Sequence, residues 1–277
     1  MFGAQRTLSL PPLTRTITYL LAINTAVFLF LEFGEISSPG LTRYVFDWFG
    51  LRPEAVMHGY LWQLVTYSVL HAGFAHFFFN MLALWMFGAQ IESMRGPRYF
   101  LELYVAGLLG AAVFNIALSY SRVLGDPTIP TVGASGAIYA VLMAFGIFFG
   151  DSEIIMIPLP IAMKAKYFVM ILIVMTLALS LRKSNGVSEI SHLGGLVTGY
   201  FFVKYTSGRG LSFSFSERYF RLRNSYHKWQ RKKAAKKFEV YMRQQQKDSK
   251  DYFDEYGNFK PPDDPGKKDG GKGGWVH

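Results

Sequence analysis

Gly133-Ala134-Ser135-Gly136 places a hydroxyl at the head of an apolar run that continues to Gly150. A second polar group, His192, opens another apolar run that ends at Tyr205. In hydrocarbon, a hydroxyl and an imidazole are costly unless they are paired or face water. If the two meet, they supply a nucleophile and its base, the minimal apparatus for attack on a carbonyl. The reading therefore turns on whether these runs cross a membrane, and whether they put Ser135 and His192 at one depth.

Composition answers the first question. Of 277 residues 51% are hydrophobic, and charges are sparse up to Lys204. From Lys204 onward 18 Lys and Arg face 9 Asp and Glu, so the net charge of +10 comes almost wholly from this tail. A soluble domain would spread its charges, so the chain reads as an all-α, multi-pass membrane protein with a basic tail. Six apolar stretches, 17–33, 73–90, 99–120, 135–150, 166–181 and 192–205, approach the roughly 20 residues that cross about 30 Å of hydrocarbon. The fourth and sixth look short. Arg6 and Arg15 precede the first stretch without a small-residue cleavage pattern after it, so it is expected to be a retained span. The expected organisation is an N-terminal segment 1–16, a six-helix domain 17–205 and a basic tail 206–277.

Charge sets the orientation. With the N-terminus in the cytoplasm, inside positions carry Arg6, Arg15, Arg95, Arg98, Lys164, Lys166, Lys204 and the tail. Arg43, Arg52, Arg122, Arg182 and Lys183 fall outside, and the bias puts both termini in the cytoplasm. The first outside loop, 34–72, contains Phe46, Trp48, Phe49 and Trp62. It is expected to lie partly in the interface, where aromatic rings prefer to sit; the alternative is an ordinary extracytoplasmic loop. In the tail, basic residues from about Ser216 to Lys247 interleave with Phe220, Tyr226, Trp229, Phe238 and Tyr241. Two readings stay open there, an amphipathic helix held on anionic lipid and a solvated basic helix. Beyond Gly257 the composition predicts disorder. No nucleic-acid motif accompanies the basic run. The absence of cysteine excludes disulfides, thiolate chemistry and Cys-ligated zinc.

Depth arithmetic addresses the second question. Pro127 and Pro130 keep the fourth helix from starting much before Ser135, and Asp151 marks its end. At 1.5 Å per residue Ser135 stands about 24 Å above that end. His76 stands about 24 Å above Glu92, Asn80 about 18 Å above Glu92, and His192 about 18 Å above Lys204. All four polar groups fall within about one helical turn of depth, and His76 and Asn80, four apart, share a helix face. Small residues let helices four and six approach: Gly136, Ala140 and Ala144 on one, Gly195 and Gly199 on the other.

These residues resemble the rhomboid family of intramembrane serine proteases. The resemblance covers about 17–205 and rests on His71-x4-His76-x3-Asn80, on Gly133-x-Ser135-Gly136 with Tyr139, and on His192-x2-Gly195-x3-Gly199. Trp62 resembles the first-loop tryptophan, and Glu92, Gly96 and Phe100 the turn from the second to the third helix. The resemblance implies a six-helix bundle in which Ser135 is the nucleophile and His192 the general base. It implies an oxyanion site of His76, Asn80 and the Ser135 N–H, with Tyr139 packed on the His192 ring. His71 would hold the first loop. Substrates would be other membrane proteins, single-pass ones, cut after a small residue, with no cofactor or metal. The site would face the extracytoplasmic side of a bacterial plasma membrane. Two departures stand out. The family's Trp-Arg pair is Trp62-Gln63 here, and Ser191 replaces a common alanine before the histidine, offering a hydroxyl that can hydrogen-bond nearby and tune access.

Other hydrolase chemistries fail on spacing. A Gly-x-Ser-x-Gly elbow would need glycine where Ala137 stands. His71 and His76 lack the spacing and the glutamate of a zinc protease helix. Asp151 stands alone, where an aspartyl protease needs two carboxylates. No carboxylate lies at the depth of His192, so a dyad is expected rather than a triad. Two non-enzymatic readings remain beside the protease, a client-binding relative that does not cut and a proton path or transporter.

Overall fold

The computed structural model describes residues 10–121, 126–156, 161–180, 187–206 and 210–244. They fall into two compact units, divided between Ser214 and Phe215. The first begins with α1, Arg15–Ser37. Three short helices follow in the first loop, α2 Leu41–Phe49, α3 Pro53–Met57 and α4 Gln63–Thr66, the last running into a 3-10 turn. The second long helix is continuous from Phe74 to Arg95. It comprises α5 Phe74–Ala83, a π-helical turn Leu84–Gly88 and α6 Ala89–Arg95. Then come α7 Pro97–Tyr120, α8 Ser135–Phe148, α9 Ala165–Ser180 and α10 Val187–Tyr205.

Arg15–Ser37, Phe74–Arg95 and Pro97–Tyr120 are each long and apolar enough to cross a membrane, and α8 is a shorter apolar helix. Their outward residues are large and apolar. Phe30, Phe33, Phe74, Phe79 and Val113 are all more than 60% exposed. That surface suits lipid and not water. The chain is a multi-pass helical membrane protein.

The structure departs from the sequence expectations in three places. First, α10 starts at Val187, so His192 does not open its helix but sits in the second turn. No proline or glycine interrupts Val187–His192, and polar Ser188 and Glu189 do not stop a helix as they stop an apolar run. Second, the connection from α8 to α9 is a two-stranded antiparallel sheet, β1 Glu153–Met156 with β2 Ile161–Lys164, in an otherwise helical molecule. Third, the first loop is largely helical. The expected disorder beyond Gly257 lies outside the described residues.

The first loop is pinned by the pair that departs from the family pattern. Gln63 is fully buried. Its Oε1 accepts the Arg52 N–H at 3.0 Å and its Nε2 donates to the Trp48 carbonyl at 3.1 Å. Trp62 Nε1 donates to the same carbonyl at 2.9 Å, and Thr66 Oγ1 to the Phe49 carbonyl at 2.7 Å. These bonds satisfy carbonyls at the end of α2, which have no partner within the helix. A neutral amide thus performs the anchoring. Tyr44, Trp48, Tyr60 and Trp62 form a ladder of neighbouring rings on the same loop.

In the second unit, most of α11, Leu211–Gln244, is exposed. Tyr219, Leu222, Tyr226 and Trp229 recur at three- and four-residue spacing and are at least 55% exposed. That spacing puts them on one face.

At the other end of the helices, Glu92 caps α1. Its carboxylate accepts the Thr16 N–H at 2.9 Å, the Ile17 N–H at 3.1 Å and the Thr14 hydroxyl at 2.5 Å. A carboxylate there satisfies orphan amides and faces the positive end of the helix dipole. Glu92→Ala should lower stability by about 1–2 kcal/mol, as the loss of a helix cap does. Unfolding in mixed micelles measures this, and a wild-type midpoint would reject the capping role.

Candidate active site

The chain leading into α8 is not helical, so its backbone groups need partners outside it. They find them in the first loop. Leu51 and Thr131 exchange both backbone bonds at 2.8 Å, and the Gly133 N–H donates to the Tyr67 carbonyl at 2.9 Å. Gly133 has φ 124°, a conformation that side chains rarely adopt. A Cβ at Gly133 would stand only 2.7 Å from His76 Nε2, and 3.7 Å from Ser135 Oγ. Glycine is therefore required here on two counts, its φ and the His76 ring packed against it.

Ser135 is the first residue of α8, and its Oγ lies 2.7 Å from His192 Nε2. With the neutral ring protonated on Nδ1, Nε2 accepts the serine hydroxyl hydrogen. Tyr139, one turn along α8, stacks on the His192 ring with centroids 4.3 Å apart and planes 3° from parallel. Stacking fixes the plane of the imidazole.

Glycine permits this closeness. A Cβ at Gly195 would collide with the Gly136 carbonyl, and one at Gly199 would lie 2.7 Å from Ala140 backbone atoms. A Cβ at Gly136 would in turn collide with Ala111 on α7. Three helices meet at atoms that have no room for one more carbon.

His76 receives the Ala72 N–H on Nδ1 at 3.3 Å, which places the proton of a neutral ring on Nε2, the nitrogen facing Gly133. Asn80, buried one turn along, donates from Nδ2 to the His76 carbonyl at 2.8 Å. One amide hydrogen remains for another acceptor. His71 is buried and stands edge-on to His76, with centroids 5.2 Å apart, and to Phe77. Its described ring contacts are thus with the second long helix. Ser135, Tyr139, His76 and His192 are half-buried, so the site is reachable from outside the fold.

The sequence reading missed Asn115, Thr131 and the Tyr67 carbonyl. Asn115 had a signal, an amide in the middle of an apolar span. Thr131 and Tyr67 had none, since their part depends on the pairing of two loops.

The arrangement suits acyl transfer: a hydroxyl on an imidazole, an oriented ring, and a second imidazole packed beside Gly133, two residues before the serine. A sequence model of the rhomboid domain matches residues 58–209. The chain is 32% identical over 188 residues to the rhomboid protease GluP of Bacillus subtilis, covering 67% of this chain and 34% of that protein. It is 27% identical over 191 residues to the mitochondrial rhomboid protein 1 of Saccharomyces cerevisiae, covering 68% and 52%. It is 29% identical over 193 residues to the mitochondrial presenilin-associated rhomboid-like protein of Homo sapiens, covering 69% and 48%. It thus spans between about a third and a half of these relatives' lengths.

Gly195→Ala should separate α8 from α10 and cut labelling of Ser135 by a fluorophosphonate to background in protein that remains folded. Labelling at the wild-type rate would show that the contact yields without moving His192.

Proposed function

We propose that this chain, which belongs to the rhomboid family, is a serine endopeptidase that cleaves other membrane proteins in or near their transmembrane segments. The observation that carries this is the 2.7 Å contact between Ser135 Oγ and His192 Nε2. In the reaction, His192 takes the hydroxyl proton as Ser135 Oγ attacks the scissile carbonyl carbon. The carbonyl π electrons move to oxygen, and a tetrahedral oxyanion forms. His76 Nε2–H, the free Asn80 amide hydrogen and the Ser135 backbone N–H are its donors. The last is an orphan amide at a helix N-terminus, already aimed at negative charge. Collapse breaks the C–N bond, and His192 returns its proton to the leaving amine. Water, deprotonated by His192, then attacks the acyl carbon; the C–Oγ bond breaks, the carboxylic acid leaves, and His192 returns the proton to Ser135 Oγ.

A substrate helix shields its own peptide bonds, so the segment has to unwind. Gly, Pro or polar residues near the cut lower that barrier. By likeness to the family, a small residue precedes the cut, and single-pass proteins are the natural class. Both termini lie in the cytoplasm and the site opens on the extracytoplasmic side of a bacterial plasma membrane, as the excess of Arg and Lys on the inner connections favours.

The tail has its own partner. Residues 211–244 carry ten Lys and Arg against Glu217 and Glu239, and start six residues after α10 ends. A basic helix with an aromatic face, so close to a span, lies on anionic lipid. The chain has no cysteine, so Leu222→Cys gives one dye site. In proteoliposomes its emission should shift to the blue with phosphatidylglycerol and not with phosphatidylcholine alone. Equal emission in both would reject this role.

Ser135→Ala and His192→Ala should each abolish both fluorophosphonate labelling and cleavage of a transmembrane reporter. Asn80→Ala should lower kcat about 10²–10³-fold, the usual effect of losing one oxyanion donor. Cleavage persisting in both dyad variants would overturn the assignment.

A further inference from the structure

We propose that Asn115 is a positioning residue for the Ser135–His192 pair: its buried amide ties the segment that leads to the serine to the helix that carries the histidine. The proposal rests on the serine-protease reading. Asn115 lies on α7, fully buried. Its Nδ2 donates to Ser191 Oγ at 2.7 Å and to Thr131 Oγ1 at 3.1 Å. An amide nitrogen has two hydrogens, one for each acceptor. Ser191 is 3% exposed and immediately precedes His192. Thr131 is 7% exposed, stands four residues before Ser135 and holds Leu51 of the first loop through its own backbone. One side chain on a third helix therefore touches both segments that bear the reacting groups.

The packing leaves a task for such a tie. Gly195 and Gly199 bring α10 against α8, and a Cβ at Gly194 would meet Phe114 Cβ at 2.5 Å on α7. Glycine contacts fix how near a helix comes, and the α10 side chains that key its rotation against α7, Thr198 at Gly110 and Phe202 on Tyr99, lie six and ten residues beyond His192. That rotation decides where the imidazole points. On a helix whose Cα radius is 2.3 Å, a side-chain nitrogen roughly 6 Å from the axis moves about 1 Å for each 10° of rotation. Misplacement by about 1 Å can lower a rate on the order of 10²-fold. Successive residues of a helix point about 100° apart, so Ser191 can bond α7 while His192 faces α8. The 2.7 Å bond at Ser191 fixes the rotation one residue from the base. The hydroxyl of Ser191, where the family often has alanine, is half of this device.

The competing explanation is that the three groups merely satisfy one another in a dry place. Stability and rate separate the two. Ser191→Ala removes an acceptor from a buried N–H, which destabilises; replacing both partners by apolar groups is close to neutral. The full-length protein is purified as wild type, Ser191→Ala, Thr131→Val and the triple variant Asn115→Leu/Ser191→Ala/Thr131→Val, which leaves neither hydroxyl behind. Melting temperature, fluorophosphonate labelling rate, and kcat and KM on a transmembrane reporter are measured for each. Ser191→Ala should melt lower and label about 10-fold more slowly, within the range expected for misplacement. The triple variant should regain most of the melting temperature and stay slow. Thr131→Val, which keeps the shape, should lower kcat several-fold at unchanged KM, and serves alone if the Asn115 variant does not fold. Recovery of rate together with stability in the triple variant, or wild-type kcat in folded Ser191→Ala and Thr131→Val, overturns the positioning role and leaves the protease reading standing. Wild-type protein that neither labels nor cleaves overturns both.

Discussion

Every backbone N–H and C=O at membrane depth has to be bonded inside the protein, because hydrocarbon offers no partner. Helices meet this demand by themselves. The segment before Ser135 cannot, since Pro127 and Pro130 lack N–H groups and Gly133 has a positive φ. It meets the demand by pairing with the first loop, at Leu51 and at Tyr67. The first loop is in turn held shut by Gln63, Trp62 and Thr66. The approach to the serine and the fold of a loop more than sixty residues earlier are one hydrogen-bonded unit. The position of Ser135 Oγ is an outcome of that unit.

This explains what could be read from the chain and what could not. Helical rise is a constant, so counting residues from Asp151, Glu92 and Lys204 assigns Ser135, His76, Asn80 and His192 similar depths, and in the fold Ser135 Oγ lies 2.7 Å from His192 Nε2. Glycine stripes mark close approach whatever the partner, so Gly136, Gly195 and Gly199 were legible too. Helix ends were less so. Glu189 and Ser188 resemble loop residues on a hydropathy scale, yet α10 runs through them. The strands β1 and β2 lie in the connection between the fourth and fifth apolar stretches, where hydropathy carries no information on pairing. Gln63 was legible as a departure, but its replacement of a charged anchor by two neutral amide bonds required the fold of α2 to be known. Thr131 carried no signal, because a threonine in a connecting loop is ordinary.

Three helices divide the work of holding the site. α8 supplies Ser135 and Tyr139, α10 supplies Ser191 and His192, and α7 supplies the face that both pack against. The glycine contacts among them leave no tolerance for an added carbon. Such an interface is stiff toward compression, as dense packing is. Its side-chain contacts, Thr198 at Gly110 and Phe202 on Tyr99, lie along α10 away from the reacting pair. Directional bonds and stacked rings supply what packing omits.

The same division bears on how His192 is held as the base of the proposed reaction. A third group in a triad holds the imidazole in its plane and tautomer. A buried, ionised aspartate beside that ring would carry a severe desolvation cost. Tyr139 holds the same ring by its face, with neutral atoms, at 4.3 Å. Asn115 reaches the adjacent residue with a neutral amide whose donors are satisfied by hydroxyls. In the proposed reaction the site keeps the His76 Nε2–H and one Asn80 amide hydrogen for the charge that forms on a substrate carbonyl. Its donors then gain an acceptor they did not have before, and that difference between resting and reacting states is where such a site can accelerate a reaction.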